Sequence, residues 1–141
     1  MSGELVEKLR HRAIAFLRET KRFLEEGEYD LACFSAEQAL QLYLKSVFLK
    51  LFGETLRVHG VRELLGLLAS RLYQEGFREE AIKVKDFVRE NRYTLSVIED
   101  AYIDARYTIR GFTEEEAREA LEVSLKLIRL LEEIEKHVWM G

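Results

Sequence analysis

A chain of 141 residues that is 48% hydrophobic and 34% charged has the size of one ordinary domain, expected to span residues 1–141, and is too apolar to be intrinsically disordered. The net charge of −4, with both signs interspersed, excludes the positive field of a general duplex-DNA binder, and the single cysteine, Cys33, excludes an intramolecular disulfide or a thiolate metal cluster. No signal-peptide pattern opens the chain, and its longest apolar run, LACFSAEQALQLYLKSVFLKLF, is interrupted by Glu37, Lys45 and Lys50, so a cytoplasmic protein without a membrane span is expected.

Proline is absent and Ala, Leu, Glu, Lys and Arg abound, so breakers and propensities agree on helix almost throughout. A first helix is expected over about residues 3–26, with Leu5, Leu9, Ala13, Phe16, Leu17 and Phe23 on one stripe and Gly27 at its end. The second runs from about Asp30, read as its N-cap, to Phe52, where Gly53 can adopt the left-handed conformation that terminates helices. Phe34, Leu40, Tyr43, Leu44, Val47, Phe48 and Leu51 surround most of its circumference, which makes this helix central. A shorter third helix spans about Val61 to Gln74 and is closed by Gly76. A fourth is expected without interruption from about Arg78 to Ala105, through Ala81, Val84, Val88, Leu95, Ile98 and Tyr102. The last begins at Thr113, where Thr113 and Glu116 have the spacing of a capping box, and continues to about Trp139. Long segments of similar length joined by short connections predict an all-α fold: an antiparallel up-and-down helical bundle of four long helices plus one shorter helix.

The familiar chemical motifs are missing. There is no glycine-rich phosphate loop and no strand pattern to support one. His11, His59 and His137 stand far apart with no HExxH, and no glutamate has a histidine three residues on, so neither a metal nor a cofactor is expected. Cys33, between Ala32 and Phe34, reads as a small buried hydrophobe. Ser35 and Gln38 on the mostly apolar second helix call for buried partners, and Tyr29, Tyr43 and Tyr102 read as core or interface residues.

Three pieces taken together are more specific: LEEGEYDLACFSAEQALQLYLKSVFLKLFGE, then RVHGVRELLGLL, then AYIDARYTIRGFTEEEAREALEVSLKLIRLLEE. In their order and spacing they resemble the HEPN domain family, named for nucleotide binding in higher eukaryotes and prokaryotes. The resemblance implies a helical bundle, often dimeric, often encoded with or fused to a minimal nucleotidyltransferase. It also implies one of two roles, a ribonuclease toxin or a noncatalytic binding or partner subunit. Ribonucleases of the family carry an Arg, four to six intervening residues, then a His. There the Arg neutralises charge on the attacked phosphate and the His moves protons. Counted from Arg106, the positions that should hold the histidine are Gly111, Phe112 and Thr113, and none of these side chains can shuttle a proton.

The expected site is therefore a binding site made of Arg106, Tyr107, Arg110, Asp104 and His59, with no catalytic residue. Arg106 and Arg110 suit a phosphate, and Tyr107 can stack on a base. The same arginines also suit the dipole of a helix C-terminus without any ligand, Asp104 suits an ion pair or solvation, and His59 suits a local contact at a helix start. The expected ligands are a nucleotide or single-stranded RNA, and the expected partners a second copy of the chain and a minimal nucleotidyltransferase. Leu42, Leu49, Val123 and Leu130 lie beyond one bundle-facing stripe, and a lone monomer is expected to leave some of them exposed, which favours a homodimer. Two other functions remain open: a metal-independent HEPN ribonuclease, and a helical adaptor that binds only protein.

Overall fold

Strong helix formers with no proline carry the backbone through α1 (Ser2–Glu25), α2 (Tyr29–Phe52), α3 (Val61–Gln74), α4 (Arg78–Glu90), α5 (Arg92–Tyr107) and α6 (Glu114–Met140). These come from a computed structural model that describes residues 2–109 and 111–140, and among them there is no strand. The all-α expectation holds.

Glycines set the hairpins. Gly27 sits at φ 77°, which lets Glu28 N–H donate to the Phe23 carbonyl at 2.8 Å and Gly27 N–H to that of Leu24 at 3.2 Å. This paired arrangement satisfies the last carbonyls of α1 and reverses the chain within three residues. The two helices then run antiparallel: Thr20 and Ser35 share a hydrogen bond of 2.6 Å near the turn, and Arg10 Nε donates to Ser46 Oγ at 2.9 Å further out. The buried partner expected for Ser35 is thus Thr20. Gln38 instead uses its amide on its neighbour Glu37.

Cross-helix bonds give the remaining directions. Tyr29 donates to Glu114 at 3.1 Å and Lys50 pairs with Glu135 at 3.1 Å, so α6 runs parallel to α2. Lys83 pairs with Glu133 at 2.9 Å and His137 lies 3.4 Å from Glu80, so α4 runs antiparallel to α6. α1, α2, α4 and α6 therefore alternate in direction along the chain, in the expected up-and-down order. α2 is the central element, burying Ala36, Leu40, Leu44 and Val47 against the other helices.

Three expectations require correction. Asp30 is not an N-cap: α2 begins one residue earlier, and the Asp30 carboxylate accepts the backbone N–H of Phe112 at 2.8 Å, tying the approach to α6 onto α2. The fourth helix is not continuous, because Asn91 interrupts it. The Asn91 side-chain amide donates to the Phe87 carbonyl at 2.9 Å, where its own backbone N–H also bonds at 3.0 Å, and Leu95 N–H restarts the ladder on the Asn91 carbonyl. Asparagine competes for backbone partners in this way, and the apolar spacing, which continues across the break, conceals it. Finally, the monomer covers the residues expected to be left over: Leu49 and Val123 are buried, and Leu42 and Leu130 are partly buried against the core. The capping box stands as read, with Thr113 N–H donating to Glu116 Oε1 and Glu116 N–H to Thr113 Oγ1, each at 3.0 Å.

Candidate functional site

The last turn of α5 places Arg106 among aromatic rings. Its guanidinium carbon lies 5.2 Å from the ring centre of Phe34 on α2 and 4.7 Å from those of Tyr102 and Tyr107, and its Nε donates to the Tyr102 carbonyl at 2.8 Å. Those rings favour a cation beside them, while the single backbone bond fixes the fork at the end of the helix. Among the described residues no carboxylate lies within ion-pair distance of Arg106, which is exposed, so both Nη groups are open to an anion from solvent. Tyr107 is 72% exposed, so one face of its ring is available for stacking. Asp104 is half-buried, and its backbone carbonyl accepts Thr108 N–H at 3.3 Å and Thr108 Oγ1 at 3.0 Å to close the helix. Arg110, assigned to the site from sequence, lies outside the described residues.

His59 reaches the same face of the molecule from another direction. The connection from Gly53 to Gly60 is anchored by Leu56 and Val58, which pack on the core, and by an Arg71–Glu54 ion pair. Where α3 begins, Glu99 of α5 accepts from the Arg62 N–H at 2.8 Å and from its Nε at 2.9 Å. Held between these anchors, His59 Nδ1 lies 2.9 Å from Lys45 Nζ and 3.1 Å from Gln41 Oε1, both on α2. This is a contact across helices, not the local helix-start contact considered from sequence. An ammonium can only donate, so Nδ1 accepts from Lys45, which also donates to Gln41 Oε1 at 3.3 Å and so links the imidazole to that glutamine.

Between the two stands Glu37, only 2% exposed. Gln41 Nε2 donates to its Oε2 at 2.9 Å and Gln38 Nε2 to its Oε1 at 2.8 Å. Burial raises the Glu37 pKa above the usual carboxylate range, against the opposing pull of Gln41, Gln38 and the Arg106 charge. Partial burial lowers the Lys45 pKa, against the attraction of Glu37. Phe34, Gln38, Gln41 and Lys45 follow one face of α2, and Arg106 touches it at Phe34 while His59 touches it at Gln41. The two are therefore about two helical turns, roughly 10 Å, apart along the axis: brought to one face, with Glu37 and Gln41 on the helix between, but not in contact. Sequence reading missed Glu37, Gln41 and Lys45. Their signal was polar residues recurring every four positions in an otherwise apolar helix.

The positions where a proton-moving histidine would be needed are committed to structure. Phe112 is buried and tethered to Asp30, and Thr113 caps α6. His137 lies 3.4 Å from Glu80 of α4, and His11 is exposed on α1. Among the described residues no group of three His, Cys, Asp or Glu side chains is placed to hold a metal, and no helix is long and apolar enough to cross a membrane.

A helical bundle whose central helix and α5 terminus present this arginine-centred face matches the family model of the HEPN domain over residues 6–134. The chain belongs to the HEPN domain family. Its fold is similar to the crystal structure of TT1696 from Thermus thermophilus, with a TM-score of 0.69 and 27% identity over 91% of this chain and 96% of that one. No functionally curated protein matches the chain.

Proposed function

We propose that this HEPN protein is a noncatalytic nucleotide- or RNA-binding component that works as a homodimer and as the partner subunit of a minimal nucleotidyltransferase, in a toxin-antitoxin-like pair. It is a single cytoplasmic domain over residues 1–141. HEPN membership supports a nucleotide- or RNA-related role in general. The observation that carries the reading is the state of Arg106: exposed, framed by Phe34, Tyr102 and Tyr107, and unpaired with any described carboxylate. A guanidinium so placed meets a phosphate while Tyr107 meets a base, and Lys45 and His59 extend the same face for a longer strand. Cleavage would need an acid-base group beside the arginine, and the nearest imidazole on this face is about two turns away. Ile103, Tyr107 and Ile109 leave apolar surface at the α5 end, which suits a protein interface next to the site.

The test is Arg106→Ala, read with a fluorescent single-stranded RNA hexamer by anisotropy and with a thermal melt. About tenfold weaker binding at an unchanged midpoint supports the reading. A lowered midpoint with unaltered affinity would make the arginine a structural helix end. Cleavage of the hexamer in chelator-treated protein, lost in the same variant, would establish a ribonuclease instead. Absence of RNA affinity together with a stable complex with the product of an adjacent gene would establish a protein adaptor. Sedimentation at tens of micromolar should show a dimer, and a strictly monomeric species would remove that part of the proposal.

A further inference from the structure

The end of the bundle away from Arg106 holds a second polar cluster, built by α1, α2 and α6. Glu135 of α6 is 4% exposed, and its two oxygens are taken by Arg10 of α1 and by Lys50 of α2, the latter at 3.1 Å. Arg10 is further fixed by its Nε bond to Ser46 and by stacking 5.0 Å over the Tyr43 ring. Because the buried carboxylate already has two cationic partners, it leaves no acceptor in want of a donor, whereas the donors are not exhausted. Arg10 Nη1 has no described partner, and Lys50 retains further N–H groups.

Against this cluster opens a cavity of 380 Å³, lined by Arg10, Tyr43, Lys50, Glu132, Glu135, Lys136 and Trp139. Three cations face two carboxylates. Burial pushes the Tyr43 hydroxyl up to about 12, so it is a donor at neutral pH. An adjoining cavity of 420 Å³ shares Arg10, Lys50 and Trp139 and adds the apolar side chains of Val6 and Leu49, with Glu7 as its one carboxylate. Trp139 stands where the two meet. It is 67% exposed, and Lys50 Nζ lies 5.7 Å from its ring centre, so an indole plate and an ammonium group are presented side by side. A site of this volume, half apolar and half donor-rich, fits a small flat molecule bearing negative charge.

We propose that this cavity is a second binding site, for an anion carrying a flat ring: the ring lies on Trp139 and the anionic group meets Lys50, Lys136 and the open edge of Arg10. A nucleoside monophosphate and an aromatic carboxylate share that chemistry. The site is separate from the Arg106 face, since Phe34 and Lys50 stand about 24 Å apart along α2 at about 1.5 Å per residue, beyond the span of either ligand.

Trp139 is the single tryptophan of the chain, so its fluorescence reports this end of the bundle and not the Arg106 face. Full-length protein is titrated with AMP, with benzoate, and with adenosine and inorganic phosphate as the separated halves of AMP. A saturable change is expected with AMP, benzoate or both, which assigns the ligand class, and at least tenfold weaker response is expected to adenosine and to phosphate. Lys136→Ala and Lys50→Ala should each weaken binding by about threefold to tenfold, Lys136→Ala at an unchanged thermal midpoint and Lys50→Ala at a lowered one because it removes a partner of Glu135, whereas Arg106→Ala should leave the Trp139 titration intact. Should Lys50→Ala fail to fold, Lys136→Ala, whose side chain does not pair with Glu135, keeps the measurement decisive. The proposal is overturned by no saturable change with either AMP or benzoate at millimolar concentration, by phosphate binding as tightly as AMP, by indifference to both lysine substitutions, or by loss of the signal in Arg106→Ala.

Discussion

Arg106 is defined by its neighbours on both sides of the chain. Tyr102 lies one turn back, Tyr107 comes next in sequence, and Phe34 arrives from α2, so the guanidinium is flanked by rings and, among the described residues, not matched to a carboxylate. The first two neighbours were legible, because helical spacing and adjacency are sequence properties. Phe34 was not, since it depends on how α5 lies across α2. The same limit hid Glu37, whose burial no local pattern announces. That burial has a measurable consequence. With its pKa raised above 4.5, the folded protein keeps the Glu37 proton to higher pH than the unfolded chain does. Its favourable contribution is therefore full below about pH 4.5 and is lost as pH rises through the folded-state pKa. Glu37→Gln does not titrate, so urea denaturation should show this variant gaining stability relative to the parent between about pH 4 and about pH 7. A difference that stays constant over that range would mean that the carboxyl carries no burial penalty.

At the scale of elements, the ends of helices were read with uneven success, for a physical reason. Gly27, Gly53 and Gly76 all take positive φ, and the Thr113–Glu116 box forms as spaced, because these signals act through the backbone within a few residues. Thr113→Ala should cost about 1 kcal/mol, measured as a lower midpoint in denaturant, since it removes the acceptor of the Glu116 N–H. Asp30 and Asn91 were misread because each makes a choice that local sequence leaves open. Asp30 lends its carboxylate to a segment far along the chain, and Asn91 turns its amide back onto Phe87. The Asn91 break matters for packing, since α4 lies against α3 while α5 lies against α2 and carries Arg106 to the face that His59 also reaches.

Over the whole molecule, α1, α2 and α6 are locked together at one end by Arg10, Lys50 and Glu135. Breaking a buried pair leaves a charge without its partner, so Arg10→Ala should destabilise by about 3 kcal/mol, near the lower end of the usual range because Lys50 stays on Glu135. Calorimetry giving a loss below about 1 kcal/mol would show the pair to be as weak as a surface ion pair. This end of the bundle was not singled out from sequence at all: Arg10, Lys50 and Glu135 belong to three helices, and each alone looks like a solvated charge. Of the apolar residues expected at a dimer seam, Leu49 and Val123 belong to the monomer's own core and Leu42 and Leu130 are partly covered by it, while Ile103, Tyr107 and Ile109 are exposed at the α5 terminus.

The sequence by itself determined that the chain is all-helical, where most helices end, which helix is central, and that an arginine without a histidine at family spacing closes α5. Those properties follow from propensity, periodicity and capping, which act over one or two turns. Only the tertiary structure decided which side chains meet: Glu37 buried between two glutamines, His59 delivered to Lys45, Phe34 beneath Arg106, and Glu135 shared by two cations. Such meetings depend on the rotation and offset of whole helices, which are set by the packing of the core and not by any residue's neighbours in the chain.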